Sequence, residues 1–397
     1  MDTIGRQVAK EIRAVTRKEV IVRAIDGQLT WIQAADILGI SARHLRRLKQ
    51  LWEHRGYDGL QDQRGLRPRR RRIPVKVIER LCRLRRQRYA DFSIQHFWEK
   101  ATEVHGFQLS YTWTRLVLQA AGLAPKAPAR GKYRRKRERR PLRGMLVHLD
   151  ASTHRWLPGQ PMADLVVALD DADGRMLYAQ FWPQEGTVST FHALHHVLTH
   201  HGRFAELYTD RGSHFCYTSA AGHPPDDAYD TQVGRALKAL GIQHIRARSP
   251  EARGRSERNF GTLQGRLPQE LRVAGITDYT AANAYLAATF LPDFNRRFTV
   301  KPAQPQSAFL PLVGIDLRLV LSRHHARTVC NDSTVSFERV IFQLPRTRHR
   351  LHYVRCPVLV HEFPDDSIGI SYQGRLLARY SRQGTLLDAP AAKGKAA

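Results

Sequence analysis

Residues 144–174 read GMLVHLDASTHRWLPGQPMADLVVALDDADG, and here the hydrophobic pattern leaves helical spacing for short strand-like runs. GMLVHLD predicts a strand ending in Asp150. ADLVVALDDADGRMLYAQFW places two apolar runs around Asp171-Ala172-Asp173-Gly174, a hairpin signal. Thr187 to His201 predicts a helix, and AELYTD a short strand ending in Asp210. Val233 to Leu240 predicts a helix stopped by Gly241, and IQHIRA a further strand. The loop SPEARGR then leads into a helix opening near Ser256 and Glu257. Strand, hairpin, helix, strand, helix, strand, helix is the order of an α/β domain.

Upstream the spacing is helical. Glu11 to Ile25 predicts an amphipathic helix, with Gly27 as its stop. Thr30 is placed to cap WIQAADIL; Gly39-Ile40-Ser41 breaks that helix, and Ser41 can cap ARHLRRLKQLWEH. Helix, tight glycine turn, helix is a helix-turn-helix, and its second helix would turn Arg43, His44, Arg46 and Arg47 outward toward DNA. Pro74 through Arg88, the stretch capped by Ser93 and the stretch capped by Ser110 repeat the theme as a second, helix-turn-helix-like module, for which a plain helical module is the competing reading. Beyond Val329, alternating runs STVSFERVIFQL, HYVRCPVLVHEF and IGISYQGRLLARY predict a small β-barrel.

The chain has 397 residues, with 64 Lys+Arg against 36 Asp+Glu, a formal charge of +28. An excess of that size points to an extended polyanion as partner and argues against an enzyme of small neutral metabolites. The excess is clustered. Arg64 to Pro74 carries six arginines and no acid, and Lys126 to Gly144 carries ten basic residues against Glu138. Both read as arms between folded units, with Arg69, Arg70, Arg134 and Arg135 as candidate phosphate contacts; solvated spacers are the plainer alternative. The expected organisation is therefore a helix-turn-helix domain (1–63), a second helical DNA-binding domain (74–123), a basic linker (124–143), an α/β catalytic core (144–305) and a C-terminal β-barrel (315–390). No run reaches the roughly 18 apolar residues of a membrane span. The N-terminal stretch lacks the apolar run of a signal peptide, so a cytoplasmic, nucleoid-associated protein without membrane contact is expected. The four cysteines are far apart in sequence and suggest neither a zinc ribbon nor a disulfide framework.

Two strands ending in aspartate and a helix opening on glutamate carry the chemistry. Central strands put their terminal side chains at one edge of a sheet, and a helix over that edge can bring Glu257 to Asp150 and Asp210. Three converging carboxylates repel one another unless cations hold them, and hard oxygen ligands suit Mg²⁺ or Mn²⁺. Two such ions can activate an attacking oxygen and stabilise the leaving oxygen of a phosphodiester. Glu251, in the preceding loop, is the other candidate for the third ligand. Asp170, Asp171 and Asp173 read as turn residues, and Asp226 and Asp227 as solvated loop acids. His192, His195, His196, His200 and His201 cluster on one predicted helix, but no neighbouring cysteine or carboxylate completes a recognisable zinc site.

The segments HLDAS, YTDRGSHF and SPEARGRSERNFGTLQGRLP resemble the DDE transposases and retroviral integrases, over roughly Gly144 to Pro302. The layout as a whole is similar to bacterial insertion-sequence transposases, the ISNCY type among them. That resemblance implies an RNase H-like core, with Asp150, Asp210 and Glu257 as the metal-binding catalytic triad for two Mg²⁺ or Mn²⁺ ions. It further implies binding of the element's terminal inverted repeats, cleavage and joining to target DNA, and a homo-oligomer on double-stranded DNA. Many relatives have Lys or Arg seven residues after the glutamate; here that position is Gln264, and Arg266 is the candidate substitute for a DNA contact. The competing readings are a DNA-binding regulator with an inactive core, which would bind without nicking, and a structure-specific nuclease, which would cut without joining.

Overall fold

The computed structural model describes residues 15–60, 73–125, 138–218, 230–247, 254–346, 350 and 352–388. The chain divides into two compact units, Met1–Arg80 and Leu81–Ala397.

In the first unit, residues 15–25 form α1, followed by α2 (Trp31–Leu38) and α3 (Ala42–Leu60). The caps act as the sequence expects. The Thr30 hydroxyl accepts from Gln33 N at 3.3 Å while Thr30 N donates to Gln33 Oε1 at 3.0 Å, a reciprocal capping box. Gly39 ends α2 in the left-handed region (φ 61°, ψ 37°), which a residue with a Cβ enters only at a cost. The Ser41 hydroxyl accepts from His44 N at 3.3 Å and starts α3. Val20, Ile21, Ala24, Ala34, Ala35, Leu45, Leu48 and Leu60 close a small core. α3 breaks at Gly56 (φ 57°, ψ −143°), so its last residues turn away from the helix that carries the arginines.

In the second unit the core is a five-stranded sheet of β1 (Leu146–His154), β2 (Ala163–Asp170), β3 (Met176–Trp182), β4 (Glu206–Thr209) and β5 (Gln243–Arg246). The strands lie in the order β3-β2-β1-β4-β5. β1 is antiparallel to β2 and parallel to β4, and β4 is parallel to β5. α7 (Thr187–His201) and α8 (Gln232–Leu240) cover one face, where Val147, Leu149, Val166 and Ala168 meet Leu194, Val197 and Leu237. The other face of β2 is covered by α9 (Gly254–Gln264), α10 (Leu267–Val273), α11 (Tyr279–Tyr285), a π-helical turn (Leu286–Phe290) and α12 (Leu291–Phe298). There Leu165, Val167 and Leu169 pack with Phe260, Leu263, Leu267, Leu286 and Phe294.

α4 (Val75–Gln87), α5 (Ile94–Glu103) and α6 (Tyr111–Ala120) form where Pro74, Ser93 and Ser110 predict them. α5 docks on the core helices through charge. Glu99 accepts from Arg266 at 2.7 Å and lies 3.3 Å from Arg297; Glu270 holds His96 and Lys100, each at 2.7 Å. Asp91, just ahead of α5, takes Arg272 at 2.6 Å. The segment 81–123 thus belongs to the same compact unit as the core.

The C-terminal strands β6 (Arg323–Thr328), β9 (Pro357–Glu362), β10 (Ile368–Tyr372), β11 (Arg375–Tyr380) and β12 (Leu386–Asp388) form an antiparallel sheet in the order β12-β11-β10-β9-β6. β7 (Thr334–Phe337) and β8 (Val340–Gln343) form a separate hairpin. Hairpin and sheet share one core of Val335, Phe337, Phe342, Val360, Ile370 and Tyr380. Among the described residues the sheet ends at β6 and β12, so the predicted barrel is here an open sheet with a hairpin.

His361, in β9, is buried between the Ser322 and Ser371 hydroxyls at 2.9 and 2.7 Å. Burial, with the nearby His324 and Arg235, pushes its pKa down to about 3. A histidine held neutral contributes stability that is complete above the unfolded value near 6.5 and is lost progressively as pH falls from there toward about 3. A shift of this size is worth about 5 kcal/mol at most. Thermal unfolding should therefore show a fall in stability between pH 7 and 5. The fall should be shallower in His361→Gln, which is somewhat less stable at pH 7; an unchanged slope would show that this histidine does not govern it.

Candidate active site at the ends of the parallel strands

β1 and β4 are offset by 60 in number, with Leu146, Val147 and His148 opposite Glu206, Leu207 and Tyr208. Continued two residues beyond these pairs, the register runs to Asp150 in β1 and to Asp210, one residue past the end of β4. The His148 and Tyr208 rings lie 5.0 Å apart on one face of the sheet, the face that strand alternation also gives Asp150. Asp150 does not end its strand as the sequence predicts. β1 continues to His154 because β2 pairs with it throughout, whereas β4 stops at Thr209. Asp150 therefore sits where β1 loses its parallel neighbour, at the carboxyl end of the parallel half of the sheet, where α/β proteins place their ligands.

Asp150 is buried, and its Oδ1 accepts from Ala151 N at 3.0 Å. Asp210 is half-buried, and its Oδ1 accepts from Gly212 N at 2.8 Å in an Asx turn. A Cβ at residue 212 would stand 3.2 Å from that oxygen and 3.1 Å from the His214 ring, so glycine lets the two side chains stay close. His214 in turn lies 3.6 Å from Glu185.

Glu257 is exposed in the first turn of α9. Two contacts align this helix with β1. Near its start, Arg255 pairs with the Asp171 carboxylate, which also accepts from His148 Nε2 at 2.7 Å. At its end, Gln264 donates to the Ser152 hydroxyl at 2.9 Å. Glu257 and Gln264 are two turns apart on one stripe of the helix, about 10.5 Å along its axis, or roughly three residues of strand. Measured back from Ser152, that brings the first turn alongside the Asp150 stretch of β1. Among the described residues no group of three or more His, Cys, Asp or Glu side chains stands together in a cluster that could hold a metal ion. Glu251, Asp226 and Asp227 lie outside the described residues.

Asp171 and Asp173 lie in the β2–β3 turn as predicted, with Asp170 as the last residue of β2, yet all three are buried. Asp170 accepts from Gly144 N and Ala172 N, both at 2.8 Å; burial still pushes its pKa up to about 6. For Asp171 burial acts in the same upward sense. The hydrogen bonds from His148 and Arg140 N, with the charges of His148 and Arg255, outweigh it and hold the carboxyl well below the usual range. Sequence reasoning missed this network. Its one visible signal was an excess of acid over what a turn needs.

In the first unit Arg43, His44, Arg46 and Arg47 are all exposed on α3, opposite the buried Leu45 and Leu48. Arg69, Arg70, Arg134 and Arg135 lie outside the described residues. Arg266 is not on the surface: its side chain is 11% exposed, paired with Glu99 and set 4.9 Å over the Phe298 ring. The α7 histidines are spread along the helix. His192 Nδ1 meets the Tyr178 hydroxyl at 3.0 Å and the His196 and His200 rings stack at 4.1 Å, while burial, with the neighbouring histidines, pushes the His196 pKa down to about 4.

A helix-turn-helix unit carried in one chain with a mixed sheet, with Asp150 and Asp210 near the carboxyl ends of its parallel strand pairing, suits an enzyme that cleaves or transfers nucleic acid. Residues 16–72 match the family model of a helix-turn-helix domain. The putative transposase y4bF of Sinorhizobium fredii is 33% identical over 374 residues, covering 93% of this chain and 81% of its own length. The transposase for insertion sequence IS1202 of Streptococcus pneumoniae is 29% identical over 356 residues, covering 79% and 76%. The chain belongs to the transposases, and it is a DNA transposase. Among solved structures, it is similar to a chain of a simian T-cell lymphotropic virus intasome in complex with a PP2A regulatory subunit (15% identity, TM-score 0.34, 79% of this chain and 100% of that one). It is also similar to the HTLV-2 integrase catalytic core solved with magnesium (16% identity, TM-score 0.30, 41% and 92%). No helix among the described residues is long and apolar enough to cross a membrane.

Proposed function

We propose that Asp150, Asp210 and Glu257 form one divalent-cation site, for two Mg²⁺ or Mn²⁺ ions, through which the transposase cuts the ends of its element and joins them to target DNA. The observation that supports this reading is the β1–β4 register, whose last pair, His148 with Tyr208, lies two residues ahead of Asp150 and Asp210, together with the Gln264–Ser152 bond that lays α9 along β1. All three donors are hard oxygens, which suit these cations. When bound, such ions activate the attacking oxygen and stabilise the leaving oxygen of a phosphodiester. The chain's own part is to hold the ligands on rigid elements, with Asp210 fixed by its Asx turn and α9 tied to β1 directly at its end and through Asp171 at its start. One site serves both steps, because only the nucleophile changes, from water to the freed 3′-OH.

Sequence-specific binding of the terminal repeats rests on Arg43, His44, Arg46 and Arg47, with the basic arms around Arg69, Arg70, Arg134 and Arg135 tracking phosphates. The core is of the RNase H-like type. The C-terminal sheet and hairpin assist end binding or subunit contacts, and the protein works as a homo-oligomer on two DNA ends. The test is an oligonucleotide carrying the element's end, incubated with Mg²⁺ or Mn²⁺ and a target plasmid. Nicked end and joined product are expected. Binding without nicking would leave a regulator, and cleavage without joined product a nuclease.

A further inference from the structure

Asp171 links the two elements that carry Asp150 and Glu257. Its Oδ1 receives His148 Nε2 from β1 at 2.7 Å and pairs with Arg255 from α9. Its Oδ2 accepts from Arg140 N at 2.8 Å, and its own N–H donates to Leu146 O at 2.9 Å, at the start of β1. His148 stands two residues before Asp150 on the same face of the strand. Arg255 stands two residues before Glu257 in the first turn of the helix. We propose that Asp171 is a positioning residue for the transfer reaction, holding the first turn of α9 along β1 so that bound cations can draw Glu257 to Asp150 and Asp210. The proposal rests on the triad reading above and adds a residue that touches neither the cations nor the DNA.

The physical case is one of cost. A carboxylate with a side chain 1% exposed is expensive to keep ionised unless it is fully paired. The turn itself does not require that charge, since Asp170 and Asp173 supply its side-chain bonds to Ala172 N and Arg175 N. What the Asp171 charge adds is a tie between a strand and a helix more than eighty residues away in sequence. Gln264 and Ser152 tie the other end of α9 to the same strand, and two ties fix both the slide and the rotation of a helix. A ligand set held only by its cations would be looser, and outer partners that orient ligands are commonly worth 10- to 100-fold in metal affinity or activity, by order of magnitude.

The experiment uses the full chain with Asp171→Asn, Arg255→Gln, Arg255→Lys, the double variant Asp171→Asn/Arg255→Gln, and Glu257→Gln. Three quantities are read: the Mn²⁺ concentration that half-saturates the rise in Tm without DNA, single-turnover end cleavage, and end binding. Asp171→Asn and Arg255→Gln should each raise the Mn²⁺ midpoint and lower cleavage about 10- to 100-fold, with end binding unchanged. Arg255→Lys should recover part of the loss, and the double variant should be no worse than the worse single one, because both break one link. If Asp171→Asn fails to fold, Arg255→Gln decides, since that side chain lies at the partly exposed start of a helix. Wild-type midpoint and cleavage in the link variants, with Glu257→Gln inactive, would remove the positioning role alone. So would a double variant whose losses multiply. A fully active Glu257→Gln would remove the triad reading, and the positioning role with it.

Discussion

Asp150→Asn and Asp210→Asn should each lower single-turnover end cleavage and strand transfer by on the order of 10³-fold or more, about 4 kcal/mol of transition-state stabilisation, while end binding stays nearly intact. Each change keeps the side-chain volume and removes one negative oxygen from a site that has to hold two dications. Phosphoryl transfer depends on in-line placement of the attacking and leaving oxygens, so a displaced ion costs rate rather than affinity for DNA. Glu257→Gln should behave alike, and Glu251→Gln should be much milder. The fold should survive: neighbouring carboxylates repel when no cation is bound, and neutralising one of them relieves that repulsion. The four variants are compared on one labelled end substrate with Mg²⁺ or Mn²⁺, beside their melting curves. An active Asp150→Asn or Asp210→Asn, correctly folded, would sink the two-metal mechanism. A dead Glu251→Gln beside an active Glu257→Gln would move the third ligand into the loop.

What could be read in advance follows the range of the forces involved. Thr30, Gly39 and Ser41 act within four residues of themselves, so the helix-turn-helix was legible from local chemistry alone. The order of strands and helices around Asp150, Asp210 and Glu257 was legible for the same reason. The length of β1 was not, because its last four residues are strand only through pairing with β2. Nor was the register that runs to Asp150 and Asp210, which is a property of two strands some sixty residues apart. β6 escaped because RHHART has no apolar alternation, and it becomes a strand by pairing with β9. Arg266 offered itself as a DNA contact just past the helix that carries Glu257, but its partner Glu99 lies in a helix far earlier in the chain. Asp171 was recognisable as a turn residue, and its second role depends on His148 and Arg255 arriving from elsewhere. Charge pairs of this kind leave no periodic trace in sequence.

Replacing Arg43, Arg46 and Arg47 together by alanine should abolish preference for the terminal repeat while leaving the chain folded. The three side chains are exposed on α3, whereas Leu45 and Leu48 on the same helix are buried in the core with Ile21 and Ala34. The substitutions therefore touch no packing, and alanine is the best helix former, so the unit's stability should be kept or slightly raised. The second helix of such a module enters the major groove, and an arginine set bidentate on a guanine edge is worth about 1–3 kcal/mol of discrimination. Three at once should cost on the order of 10³-fold in affinity for the end, and much less for random duplex, where phosphate contacts by the basic arms dominate. Arg43, Arg46 and Arg47 taken singly should differ, since a phosphate contact weakens binding to all sequences alike and a base contact relaxes one position of the repeat. His44→Ala should be the mildest of the four. The comparison is made by competition binding at two salt concentrations, because the electrostatic part falls with salt and the base-reading part does not. Leu45→Ala serves as the opposite control: it empties a buried position, and Leu→Ala in a core costs about 2–5 kcal/mol, so it should lose binding by unfolding the unit. If the triple variant keeps its preference for the end, recognition lies elsewhere, with the exposed Arg115 of α6 as the next helix position to test.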